Sequence, residues 1–143
     1  MGSRPPILVD TLHTRLLVNK YVECFRFYNA VLPELTGAKL AKGDEQWPYA
    51  RFDVEFQKPY LALMNRQVMT PAAGAVEFSR AAGDASLLCF RVADVDAAQE
   101  TCLAAGATVV VPAADVPEWG EDTRIALLRD PDGNLIELQS SPD

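Results

Sequence analysis

A single histidine, His13, stands in the whole chain of 143 residues. A catalytic transition-metal site normally draws on at least two nitrogen or sulfur donors, so this scarcity counts against zinc and iron centres. Cysteine is scarce as well. Cys24, Cys89 and Cys102 form no C-x-x-C pair and sit in apolar periodic segments, where a thiol behaves as a small buried hydrophobe. Structural zinc and a disulfide framework both fit that spacing poorly. No apolar run approaches the roughly 20 residues of a membrane span. The opening MGSRPPILVD has one Arg and two prolines but no apolar signal core, so a cytoplasmic protein is expected. Neither G-x-S-x-G, a P-loop nor G-x-G-x-x-G is present, which leaves a serine nucleophile or a bound nucleotide without support. Basic residues are in deficit: 13 Lys and Arg against 20 Asp and Glu give a net charge of −7. Such a surface repels phosphate backbones and anionic bilayers, so neither nucleic acid nor a membrane is an expected partner.

What the chain does have is globular. Hydrophobic residues make up 49% and charged residues 23%, and the length fits one domain spanning 1–143. Leu12, Thr14, Leu16 and Val18 alternate with His13, Arg15 and Leu17, which predicts a strand over Thr11–Val18. From Tyr21 the period becomes helical (Tyr21, Cys24, Phe25, Tyr28, Leu32), and Pro33 is expected to end the run. Short strands are predicted over Ala38–Ala41, Tyr49–Phe56 and Tyr60–Asn65, with Pro48 and Pro59 at strand entrances. An Ala/Gly-rich linker over about 67–84 follows, in which Thr70-Pro71 predicts a short helical turn.

After the linker the first pattern returns. Leu88, Phe90 and Val92 alternate with Leu87, Cys89 and Arg91. Asp94 or Asp96 then caps a helix running to Ala105, closed by Gly106. Strands are predicted over Thr108–Val111, Thr123–Leu128 and Leu135–Gln139, with a loop over Pro112–Asp122 and a tight turn over Asp130–Asn134. The order strand, helix, three strands therefore occurs twice. Module one covers about 11–66 and module two about 85–140, and Val18 falls on Val92 at an offset of 74 residues. Neither half is long enough to bury much core alone, so the two should pack as one curved unit.

The closing segment R-D-P-D-G-N-L-I-E-L-Q (Arg129–Gln139) resembles the terminal signature of the vicinal oxygen chelate superfamily. That group includes glyoxalase I, extradiol dioxygenases, methylmalonyl-CoA epimerase, fosfomycin-modifying enzymes and the bleomycin resistance proteins. H-T-R-L-L-V with F-R-F-Y-N-A-V-L, then F-R-V-A-D-V-D-A-A and W-G-E-D-T-R-I-A-L-L-R-D-P-D-G-N, resemble its other elements in the same order. The resemblance covers about residues 11–140. It implies an α+β fold of two βαβββ modules whose mostly antiparallel sheets curl into a cup, commonly in a homodimer. It also implies a divalent metal held by one residue from the first and last strand of each module. Those positions fall on His13, Ala62, Leu87 and Glu137, so two of the four ligands are replaced by groups with no lone pair to donate.

Strand alternation assigns the faces independently. Leu16, Val18, Leu61, Leu63, Leu88, Phe90, Val92, Ile136 and Leu138 should face the helices. His13, Arg15, Leu17, Tyr60, Ala62, Met64, Leu87, Cys89, Arg91, Leu135, Glu137 and Gln139 should face the cup. His, two Arg, Glu and Gln among apolar neighbours have the composition of a ligand pocket. A His13–Glu137 pair could bind or shuttle a proton, or His13 could be a satisfied polar residue of the wall. A Cys89–His13 thiol–imidazole pair is also conceivable. Trp47 with Tyr49, and Trp119, lie beside Asp44, Glu45, Glu118, Glu121 and Asp122. Those aromatics would suit a planar cation, or they pack in the core while the acids are solvated. The expectation is a metal-independent small-molecule binding and sequestration protein of the bleomycin-resistance type, for an aromatic or cationic antibiotic. Its site is His13, Arg15, Trp47, Tyr49, Tyr60, Ala62, Leu87, Cys89, Arg91, Trp119 and Glu137. The alternatives are a glyoxalase-, dioxygenase- or isomerase-like enzyme using His13 and Glu137 as acid and base or as a partial metal site, and a scaffold without a ligand.

Overall fold

Period-two alternation in the strands and helical spacing from Tyr21 and Val95 decide the architecture. The computed structural model describes residues 12–55, 58–68, 84 and 86–141. The first half runs β1 (Thr14–Val18), α1 (Tyr21–Leu35), β2 (Lys39–Gly43), β3 (Tyr49–Glu55) and β4 (Lys58–Asn65). The second runs β5 (Leu88–Arg91), α2 (Val95–Ala104), β6 (Thr108–Asp115), β7 (Arg124–Arg129) and β8 (Leu135–Ser140). Each half forms a four-stranded mixed sheet, ordered β1-β4-β3-β2 and β5-β8-β7-β6. β1–β4 and β5–β8 are parallel pairs and the other pairs antiparallel, as the α+β reading of two βαβββ modules requires.

The register carries the repeat down to single residues. Thr14, Arg15 and Leu16 pair with Leu61, Ala62 and Leu63, while Leu88, Cys89 and Phe90 pair with Ile136, Glu137 and Leu138. Adding 74 to the first strand and 75 to the last turns one set into the other. Val18, Leu61, Leu63, Phe90, Ile136 and Leu138 are buried in one core with Phe27, Tyr28 and Leu32 of α1 and Val95, Ala98 and Cys102 of α2. Leu16, Leu88 and Val92 pack against its edge. Each large apolar side chain so buried contributes about 1.5–3 kcal/mol.

The modules are also joined by polar groups. The Tyr28 hydroxyl, fully buried on α1, donates to Asp130 Oδ2 at 2.6 Å. The same carboxylate organises the turn between β7 and β8, accepting from the Asp132 and Asn134 amides at 2.9 and 2.8 Å. Gly133 completes that turn at φ 90°, a conformation that favours glycine. Asp132 Oδ1 accepts from the Asn19 and Lys20 amides at 3.2 and 2.9 Å. Lys20 gives α1 no side-chain cap, so the carboxylate of the other module serves its amino end. α2 supplies its own cap, Asp94 accepting from the Ala97 amide at 3.0 Å.

Several boundaries differ from the sequence expectation for stated physical reasons. Pro33 lies inside α1, whose end is set by Thr36 and by Gly37 at φ 80°. The carbonyl that Pro33 leaves without a helical donor belongs to the exposed Asn29, where water can serve it. Pro59 is the second residue of β4 rather than its entrance, beside a register irregularity. Pro112 does not open a loop: β6 continues through it to Asp115, because β6 is an edge strand with shifted register between Val111 and Ala114. His13 precedes β1 instead of lying within it. Arg66–Val68 form a 3-10 turn, while the turn expected at Thr70-Pro71 falls outside the described residues.

Candidate functional site

β1 and β5 each form one edge of their sheets, and a cavity of about 300 Å³ lies where the modules meet beside them. Thr14, Tyr60 and Leu61 line it from the first module, and Leu87, Leu88, Cys89 and Phe90 from the second. Behind Cys89 sits Glu137, its partner in the β5–β8 register and only 7% exposed. The Cys89 thiol donates to Glu137 Oε2 at 3.4 Å, and the Gln139 amide donates to the same oxygen at 3.2 Å. A carboxylate can be buried only with donors of this kind, since an unpaired charge there is costly. Burial first, then the hydrogen bond to Glu137 and its negative charge, pushes the Cys89 thiol up to about 11. Cys89 is therefore a neutral donor near pH 7, with little nucleophilic thiolate. The Tyr60 hydroxyl is shifted upward by burial and by its nearness to Cys89, and it stays protonated too.

Four of the expected site residues thus come together: Tyr60, Leu87, Cys89 and Glu137. Gln139 joins them through its bond to Glu137; its place two residues further along β8, on the same face, was the available signal. Arg15 and Tyr49 form a separate pair, the guanidinium lying 5.2 Å from the ring centroid. The Tyr49 face that was expected to meet a cationic ligand is already taken by a cation of the protein. Ala62 is fully buried in the middle of the first sheet, between Arg15 and Arg51 in the register. Arg91 is exposed and donates to Ser141 Oγ at 3.3 Å.

The two tryptophans do not line the cavity. Trp47 is exposed in the turn before β3, and Trp119 is 61% exposed in a 3-10 turn between β6 and β7, so neither is a core residue. Carboxylates beside Trp47 are committed to structure. Asp44 Oδ1 accepts from the Gln46 and Trp47 amides, and Glu45 pairs with Arg26 at 3.0 Å. They form no free acidic patch for a ligand. Cys24 and Cys102 are buried as expected, but Cys89 is exposed. Its partner is the carboxylate rather than His13, which excludes the thiol–imidazole pair in this arrangement. His13 is half-buried and makes no hydrogen bond to Glu137. A larger, more open hollow of about 620 Å³ lies over β2 and β3. It draws on one module only; of its charged wall residues Arg51 pairs with Asp53 and Glu55 with Lys58, and Lys39 is the remaining cation.

A family model, described as Glyoxalase/Bleomycin resistance protein/Dioxygenase superfamily, matches residues 11–138. The chain belongs to that superfamily. Within it, this superfamily member is 33% identical over 130 residues to the uncharacterized protein YraH of Bacillus subtilis (strain 168), covering 89% of this chain and 94% of that one. Among solved structures, a glyoxalase-related enzyme from Fulvimarina pelagi superposes with a TM-score of 0.72 at 20% identity, covering 94% of this chain and 90% of that one. A glyoxalase/bleomycin resistance protein/dioxygenase family enzyme from Burkholderia phytofirmans PsJN gives 0.70 at 19% identity, covering 90% and 95%. At those identities the likeness speaks for the fold.

The superfamily resemblance implies a metal at the positions of His13, Ala62, Leu87 and Glu137, and these side chains do not fit one. Ala62 and Leu87 carry no donor atom. Glu137 is held by a thiol and an amide, and His13 stands apart from it in the hydrogen-bond network. Among the described residues no group of three or more His, Cys, Asp and Glu side chains is arranged to hold a metal ion.

Proposed function

We propose that this superfamily member binds and sequesters a small aromatic molecule, such as an antibiotic, in the cup between its modules, without a metal and as a homodimer. The observation that carries this reading is the inter-module cavity of about 300 Å³, which has a hydrocarbon side chain, Leu87, in its wall where the family would place a ligand to the metal. A volume of that size takes a one- or two-ring compound, and its wall, apolar side chains interspersed with about as much polar surface, can hold the body of such a molecule and its polar groups. Sequestration needs only binding, for which the size of this cavity is suited; thiolate or phenolate chemistry would need an ionised group, and Cys89 and Tyr60 are both held toward their neutral forms.

The test is a thermal-shift screen of planar natural products and divalent metals, with elemental analysis of the purified protein and recovery of each bound compound. The expected result is a ligand-dependent rise in melting temperature with the compound recovered unchanged. His13→Ala should leave that binding within about twofold, since no contact ties His13 to the cavity's polar groups. Consumption of the compound, or stoichiometric metal that resists chelator dialysis, would overturn the reading.

A further inference from the structure

Lys39 and Lys42 stand three apart on β2, so an unbroken strand would send them to opposite faces of the sheet. A bulge at Ala41 prevents this. Lys39 lies directly opposite Asp53 and Lys42 directly opposite Arg51, so both lysines share one face with that pair. Like charges set opposite each other, as Lys42 and Arg51 are, cost stability. The acid on this face does not offset them. Asp53 is 9% exposed, and Arg51 takes both its oxygens, through Nε at 2.9 Å and Nη2 at 3.1 Å. That fork holds the guanidinium in one orientation and leaves Nη1 without a partner among the described residues. Neither lysine forms an ion pair there, whereas Arg26, Lys58, Arg124 and Arg129 each meet a carboxylate. In a chain of net charge −7, this face concentrates uncompensated positive charge.

Lys39 and Arg51 both line the hollow of about 620 Å³ over β2 and β3, together with Leu40 and Val54. This lining shares no residue with the inter-module cavity. We propose that the hollow is a second binding site, for a small organic phosphate. Lys39 and the Nη1 edge of Arg51 bind the phosphoryl oxygens, Lys42 adds charge from the neighbouring register position, and Leu40 and Val54 meet the organic body. A phosphate monoester suits three cations better than a carboxylate does, since it carries a charge of about −1.5 to −2 near pH 7 and three strong acceptor oxygens. Hydrogen bonds from ammonium and guanidinium groups to such oxygens are the strong ones. The negative charge of the rest of the chain turns away extended polyanions such as nucleic acid, so the ligand is compact.

Phenyl phosphate is the probe, titrated into the full-length protein while the backbone amide NMR shifts of Lys39–Lys42 and Arg51–Glu55 are followed. Saturable shifts at these residues are expected, weakening as salt is added. Phenol, which has the ring without the oxyanion, and benzoate, which has the smaller charge, should each bind at least about tenfold more weakly. Lys39→Gln removes one cation at an exposed position and should weaken phenyl phosphate about tenfold, the ratio expected for one hydrogen bond to a charged group. Lys20→Gln makes the same charge change at an exposed position outside the hollow and should leave the affinity within about twofold. No saturable shift at these residues overturns the site, as does equal weakening by the two variants, which would make binding a matter of net charge. Unchanged affinity in Lys39→Gln overturns it too and leaves the lysines as guards of an edge strand. Benzoate binding as tightly as phenyl phosphate overturns the phosphate assignment.

Discussion

Replacing Tyr28 by Phe removes one oxygen and leaves the ring in place, so it isolates the bond from α1 to the turn of the other module. That bond is 2.6 Å long, and both partners are buried, Tyr28 fully and Asp130 to 4% exposure. Hydrogen bonds to charged groups contribute about 1.5–3 kcal/mol net, and the ring's apolar burial is unchanged, so a loss of about 2 kcal/mol is expected. Asp130 Oδ2 retains the Asn134 side-chain amide at 2.8 Å, which keeps the loss from reaching the cost of an unpaired buried charge. For a chain of 143 residues this corresponds to a fall in Tm of about 4–8 °C. Calorimetry supplies Tm, and urea titration with a double-mutant cycle against Asp130→Asn supplies the coupling. Burial also raises the Tyr28 phenol well above its ordinary range, so the hydroxyl is a donor at any pH near neutral. A Tm within about 1 °C of the parent protein would refute the view that this bond holds the modules together.

The upward shifts predict alkaline lability. Cys89 and Cys102 are pushed up to about 11 and Tyr21 to about 12, mainly by burial. The unfolded chain releases these protons from about pH 8.5 for Cys and about pH 10 for Tyr. Stability is thus complete below about pH 8 and falls as pH rises toward those folded values. Urea midpoints at pH 7.5, 9 and 10.5 should decline in that order, and a flat series would show the groups equally exposed in both states. At pH 7.5 only Cys89, the exposed thiol, should react in the native protein with Ellman's reagent. With its proton held up to about 11, the smaller thiolate fraction outweighs the thiolate's higher nucleophilicity, and it should react about 20-fold more slowly than free cysteine. Rapid reaction would mean that burial and the bond to Glu137 do not hold the thiol's proton.

Much of the fold was legible because it rests on local periodicity. Alternation put Cys89 and Glu137 on one face, and the 74- and 75-residue offsets reappear as the register of the two parallel pairs. What failed was punctuation. Pro33 and Pro112 read as stops, but a last helical turn facing water and an edge strand with shifted register both tolerate a missing amide. At the site, sequence brought Tyr60, Leu87, Cys89 and Glu137 to one surface but could not show that the Glu137 carboxylate takes its donors from Cys89 and Gln139, because side-chain reach is not encoded in spacing. The acidic neighbours of Trp47, left open between a ligand patch and a solvated face, could not be resolved for the converse reason. A carboxylate capping its own turn and one reaching Arg26 look, in sequence, like a free acidic patch. The Tyr28–Asp130 bond spans 102 positions and left no local trace.

The turn Asp130–Asn134 has a consequence for how interchangeable the halves are. It belongs to the hairpin of one repeat but lends a carboxylate to the amino end of α1 in the other, whereas α2 caps itself. The corresponding hairpin of the first repeat ends instead in a solvent-facing ion pair, Glu55 with Lys58. A chimera stitched from two copies of the first repeat would lose the loan, and one stitched from two copies of the second would have no creditor's partner to receive it. The halves share a topology but are complementary at this contact, like the two sides of a clasp.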